Sequence, residues 1–220
     1  MSSQFIRIIP RLDIKNNNLI KGINLEGLRV LGAPYEYSQY YSNNGADEIH
    51  YSDAVASLYG TNNLTSLIKM TAKNLRIPLS VGGGIRSISD IEKILESGAD
   101  KVFANTAFIE NKKFINEAVK KFGSSTISSN IECIKIDKKY FISKSNGRDL
   151  VNIHPCEWAK KLEGLGIGEI IVTSVNSEGL ECGFDLGIIK KISNSIKIPV
   201  LAHGGAGNFQ HVLEVIRKTK

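Results

Sequence analysis

The sequence predicts a (β/α)8 TIM barrel, built as a half-barrel repeat within one domain spanning residues 1–220. Three observations carry that expectation. Apolar, β-branched runs alternate with amphipathic segments from end to end, as repeated βα units around a parallel sheet require. The run Val81-Gly82-Gly83-Gly84-Ile85-Arg86 breaks into glycines just ahead of a helical pattern, which is how backbone N–H groups grip a phosphate. It recurs in altered form as Val200–Gly207, about 120 positions later. A loop repeated at half the length favours closure into a barrel over the rival doubly wound sheet.

The elements follow in order. Strands are expected near 5–14, 47–54, 78–84, 101–107, 125–132, 169–175 and 199–204, most of them rich in Ile and Val and bounded by Gly, Asn or Asp. Pro34 fits the first turn of a helix and Gly45 its stop. Leu64, Leu67, Ile68 and Leu75 form a helical stripe. Ser89–Glu92 reads as a capping box, with Ile91, Ile94 and Leu95 on the buried face. Pro155 opens a helix burying Trp158, Ala159, Leu162 and Leu165. Asn208 caps the last helix, with Val212, Leu213 and Ile216 on its apolar side. Tyr140–Ile142 and Asn146-Gly147 suggest a small hairpin over the fifth strand. Seven strands are counted, and the eighth βα unit of a full barrel is missing from the repeat.

Composition narrows the function. The net charge of +6 suits a phosphorylated substrate, but the 28 Lys and Arg are scattered, which argues against nucleic acid. No apolar run reaches the length of a membrane span, and the opening Met1–Gln4 lacks a signal-peptide h-region, so no signal peptide is expected. Cys133, Cys156 and Cys182 stand apart, as expected of spectator thiols in a reducing cytoplasm. His50, His154, His203 and His211 lack ligand spacing and read as surface or rim residues, so neither a metal nor another cofactor is expected.

Strand parity selects the interior. Arg7, Ile9, Arg11 and Asp13 share one face of the first strand, and Ser128, Asn130 and Glu132 share one face of the fifth. Asp13 and Glu132 end equivalent strands of the two repeats and form a candidate acid–base pair across the mouth. Arg7, Glu48, Lys101 and Glu169 lie near strand entries, where they either ring the floor or form a solvated base. One phosphate grip is expected from Gly83, Gly84, Asn105 and Thr106, and a second from Gly204 and Gly205 with Glu178 and Gly179. Thr173 shares a face with Glu169.

Together these residues resemble the cyclase (HisF) subunits of imidazole glycerol phosphate synthase, across essentially the whole chain. The matching pieces are Ile8–Lys15, Lys21-Gly22, Gly45–Glu48, Val81–Arg86, Gly98–Lys101, Glu157–Ala159, Gly168–Ile170 and Gly204–Asn208. In that family a glutaminase partner (HisH-like) makes ammonia that travels through the barrel to a bis-phosphorylated ribotide. The products are imidazole glycerol phosphate and the purine precursor AICAR. The resemblance implies that Asp13 is the acid–base residue and that Lys21 contacts substrate from a mobile first loop. It also implies that Arg7, Glu48, Lys101 and Glu169 are the ammonia gate, and that Asp100 belongs to the glutaminase-docking face of a heterodimer. The chain departs from the family pattern at Glu132, an aspartate in the family, and at Arg11, usually a small residue. Arg11, Ala56–Gly60 and Glu132 are also similar to a divergent branch found with surface-glycan genes. There the barrel is an ammonia conduit serving a separate amidotransferase for acetamidino sugars.

Overall fold

A computed structural model describes residues 6–56 and 64–219; the Ser57–Gly60 part of the divergent-branch pattern lies outside them. The chain opens with β1 (Arg11–Lys15), a hairpin of β2 (Asn18–Ile23) and β3 (Glu26–Gly32), and α1 (Pro34–Asn43). Next come β4 (Ile49–Asp53), α2 (Thr65–Ala72), β5 (Leu79–Gly82), α3 (Ile88–Glu96) and β6 (Lys101–Ala104). Two helices, α4 (Thr106–Glu110) and α5 (Lys112–Phe122), lead to β7 (Ile127–Ile136), β8 (Lys139–Lys144) and β9 (Asp149–Val151). The chain continues through α6 (Pro155–Gly164), β10 (Glu169–Ser174), α7 (Leu186–Ser195), β11 (Val200–His203) and α8 (Phe209–Lys218). None of the described helices is long and apolar enough to cross a membrane.

Seven of the strands run parallel in the order β1-β4-β5-β6-β7-β10-β11. No backbone ladder closes the ring between β11 and β1. In a flat sheet β1 and β10 would stand five strand spacings apart, roughly 24 Å at ~4.8 Å each. Yet Arg7 pairs with Glu169, and Nη1 of Arg11 donates to Oγ1 of Thr173 at 3.4 Å. The sheet is therefore curled into a barrel, and the doubly wound alternative is excluded. The apolar core lies between the sheet and its helices, around Ile14, Tyr51, Ile131, Trp158 and Ile188.

The half-barrel repeat survives in three dimensions. Gly83 and Gly204 both have positive φ (94° and 92°), and a Cβ on either would strike the carbonyl ending the preceding strand. That carbonyl belongs to Asp53 in the first half, at 2.3 Å, and to Ser174 in the second, at 2.7 Å. Only glycine tolerates both the conformation and the contact.

Several local expectations need correction. The ladder of the first strand begins at Arg11 rather than residue 5, and the carbonyls of Ile8 and Pro10 hold the preceding segment to Asp47 and His50 at 3.0 Å each. The capping box lies two residues earlier than expected: Ser87 is the N-cap, its hydroxyl accepting from Asp90 N–H at 3.2 Å. The β2–β3 hairpin was not anticipated. Its two-residue turn is Asn24-Leu25, both at positive φ (51° and 67°), and Asn16-Asn17 (49° and 64°) make the same kind of turn between β1 and β2. Asp137 and Lys138 repeat the device between β7 and β8, so the expected hairpin continues β7 directly. Pro34, Pro155 and Asn208 begin their helices as expected, but no residue of α8 is fully buried.

Candidate active site

Register fixes which side chains share each level of the lumen. At the floor, Glu48 receives hydrogen bonds from Arg7 (2.8 Å), Lys101 (2.9 Å) and Ser80 (2.5 Å). Lys101 also stands 3.7 Å from Glu169, which completes a ring of two cations and two anions. The solvated-base alternative fails, because Glu48 is only 1% exposed. Burial opposes the charge on Glu48, but donors from His50, Ser80 and Lys101 outweigh it and hold its pKa at about 2.

His50 is not a rim residue. It is buried beside Glu48 (3.1 Å), and burial pushes its pKa down, favouring the neutral ring. His203 is likewise interior, at 3.2 Å from Thr173. Burial and then Arg11 push its pKa well below the usual value. His154 and His211 act locally, their Nδ1 atoms accepting from Cys156 and Gly207 N–H groups. Sequence reading passed over His203 because no ligand spacing flags it; its parity with Thr173 across the β10–β11 pair was the available signal.

Above the floor sits Arg11. Its Nε donates to Asp13 at 2.9 Å, Nη2 to Ser52 at 3.0 Å and Nη1 to Thr173 at 3.4 Å. Burial works against this guanidinium, but Asp13, Glu178 and Glu132 outweigh it and raise its pKa. Thr173 has no exposed surface and donates to Asn130 Oδ1 at 2.8 Å, so it braces the lumen.

The mouth cavity is lined by Arg11, Gly83, Gly84, Asn105, Thr106 and Glu132, among others. The first expected grip and one member of the acid–base pair thus meet in one cavity. Glu132 accepts from the Gly147 N–H at 2.8 Å, and burial raises its pKa. Asp13 is ion-paired to Arg11. The two carboxyls therefore occupy contrasting surroundings, as an acid–base pair requires. Asn105 donates to the Ser143 carbonyl, while its own Oδ1 is buried without a hydrogen-bond partner. Thr106 Oγ1 accepts from Ser145 N–H at 3.0 Å.

The second grip is more crowded. Gly204 and Gly205 are buried, and Glu178 Oε2 lies 3.4 Å from the position of a Cβ on Gly204. Lys21 pairs with Glu178 from β2, a strand whose ladder to β3 shifts register on either side of it. Gly179 packs on the Gly22 carbonyl, and Asn24 N–H reaches the Glu178 carbonyl at 2.8 Å, so the hairpin is fastened over this side of the mouth. At the opposite end, Asp100 is exposed and its carboxylate accepts from Leu79 N–H at 2.8 Å.

With this geometry in place, comparison with known proteins decides the family. Residues 7–220 match the family described as histidine biosynthesis protein. The chain belongs to that family. Among its relatives is an imidazole glycerol phosphate synthase subunit HisF from Legionella pneumophila, 47% identical over 206 residues, covering 93% of this chain and 97% of the relative. HisF subunits from Sulfurisphaera tokodaii (43% identical) and an Exiguobacterium species (41%) each cover 96% of the chain, and 85% and 83% of those relatives. The seven parallel strands belong to the (β/α)8 barrel architecture of this histidine-biosynthesis family.

Proposed function

We infer that this chain is the cyclase-type subunit of an imidazole glycerol phosphate synthase, a lyase-type enzyme of histidine biosynthesis. As a subunit it works with a partner. The partner reading is a glutaminase (HisH-like) that docks at the floor around Asp100 and passes ammonia toward the ring of Arg7, Glu48, Lys101 and Glu169, which serves as the gate. None of the relatives supports the sugar-amidation alternative.

Building an imidazole ring around ammonia's nitrogen needs a proton donor for departing groups and an acceptor for N–H protons. Burial raises the pKa of Glu132, which makes it the proton donor in this reading. Asp13, held toward the lumen by Arg11, is the acceptor in this reading. The backbone of Gly83 and Gly84, with Asn105 and Thr106, takes one phosphate of the ribotide. Gly204 and Gly205 take the other, with Lys21 supplying a cation once it leaves Glu178. The contrast between Asp13 and Glu132 carries the assignment of roles. It is tested by Asp13→Asn, which should abolish ammonium-dependent turnover and leave ribotide affinity roughly intact.

A further inference from the structure

We propose that Arg11 and Phe103 form a crossbar that closes the lumen between the charged floor and the mouth, so ammonia entering at the floor is held back while ammonia from solvent reaches the mouth freely. The proposal rests on the cyclase reading given above. It concerns the route of the nitrogen, not the reaction.

The Arg11 side chain is only 7% exposed and bonds to groups on β1, β4 and β10. It thereby spans the side of the barrel where no backbone ladder closes the ring. From the opposite wall comes Phe103, on β6 and 3% exposed. Its ring occupies the space beside Gly82 on β5: a Cβ there would lie 2.2 Å from Cε2 and 2.6 Å from Cζ. Gly82 thus lets the ring lie against the wall of the lumen, where it also meets His50 with centroids 5.3 Å apart.

The mouth cavity is bounded by both crossbar residues and by none of the four floor residues. The floor ring and His50 therefore lie beneath the crossbar. Thr173, which receives the Arg11 contact, is itself tied to Asn130 (2.8 Å) and His203 (3.2 Å), so the guanidinium closes on a braced wall. Swinging it aside breaks contacts to three strands and strips a buried permanent charge of its partners.

The experiment uses the complex with its glutaminase. For each variant it measures glutamine-supported turnover divided by ammonium-supported turnover. Both routes share the chemistry at the mouth, so the effect of losing the Asp13 partner divides out. For the wild type the ratio is expected well below one, and Arg11→Ser should raise it severalfold. Phe103→Ala, which opens the other half of the crossbar, should raise it in the same direction and covers a failure of Arg11→Ser to fold. A wild-type ratio at unity, or one that neither substitution moves, overturns the proposal. A crystal structure of the wild-type complex adds a readout independent of turnover. The guanidinium should lie on Asp13, Ser52 and Thr173, and finding it turned out of the lumen overturns the crossbar. Absence of product from both nitrogen sources refutes the cyclase reading instead, and the crossbar then stands or falls on that guanidinium position.

Discussion

Replacing Glu48 by glutamine tests the charged floor quantitatively. The carboxylate accepts hydrogen bonds from Arg7, Lys101, Ser80 and His50 while 1% exposed, and its pKa falls from 4.5 to about 2. At about 1.4 kcal/mol per unit, the ionised form is favoured in the folded state by roughly 3 kcal/mol. Breaking a buried ion pair costs ~3–5 kcal/mol, and the partial exposure of Arg7 puts this site at the lower end. Glu48→Gln should therefore lose about 3 kcal/mol near neutral pH, or roughly 6–12 °C in Tm for a chain of this size. Because the folded pKa is depressed, this stability is present above the ordinary 4.5 and drains away as pH falls through about 2. Urea melts of both proteins at pH 7.5 and at several pH values below 4.5 measure the difference. The gap should narrow steadily on acidification. A gap under ~0.5 kcal/mol at pH 7.5, the size of an ordinary surface substitution, or one that acid leaves unchanged, would show that Glu48 holds no strong buried ion pair.

Three further predictions follow from the mouth and the lumen. Glu132→Gln removes the proton but can keep the Gly147 contact; kcat should fall by ~10²–10⁴ with little change in KM. In the wild type, activity should decline as pH climbs through the raised pKa of Glu132, and a flat alkaline limb in a kcat–pH profile would remove it as the acid. Titration or soaking with sulfate should place anions at Gly83-Gly84 and at Gly204-Gly205, ~15–20 Å apart on the scale of a barrel mouth; anions at the Asp100 end would contradict the repeat argument. Gly82→Ala should destabilise by ~1–3 kcal/mol, because its Cβ would enter the Phe103 ring, and an unchanged chemical-denaturation midpoint would count against that packing.

Much of the barrel was legible because its signals are local. Glycines at strand ends, prolines at helix starts and the period-two alternation of strands each report on a few neighbouring residues. Strand-entry positions brought Arg7, Glu48, Lys101 and Glu169 forward as a ring or a solvated base, and parity put Arg11 on the face of Asp13. What sequence missed depends on partners distant in the chain. His203 meets Thr173 in the interior only because β11 lies beside β10, a pairing no local pattern announces. Lys21 was expected in a mobile loop on the family resemblance alone, and its partner Glu178, 157 residues away, leaves no local signal in the sequence. The β2–β3 hairpin was missed because its turn, Asn24-Leu25, lacks the glycine that marks a tight two-residue turn. The unburied face of α8 was invisible too, since an apolar stripe predicts a buried side without saying what covers it.

If Asp13 and Glu132 serve to build an imidazole ring on a bis-phosphorylated ribotide, the chain must convert that ribotide when ammonium is supplied directly. The most direct measurement supplies the purified chain with the ribotide and ammonium, and follows imidazole glycerol phosphate and AICAR by mass spectrometry. Asp13→Asn serves as the control. Equimolar formation of both products by the wild type, lost in Asp13→Asn, is the expected result. An intact ribotide after prolonged incubation with wild type would overturn the cyclase reading, and undiminished turnover by Asp13→Asn would remove Asp13 from the chemistry.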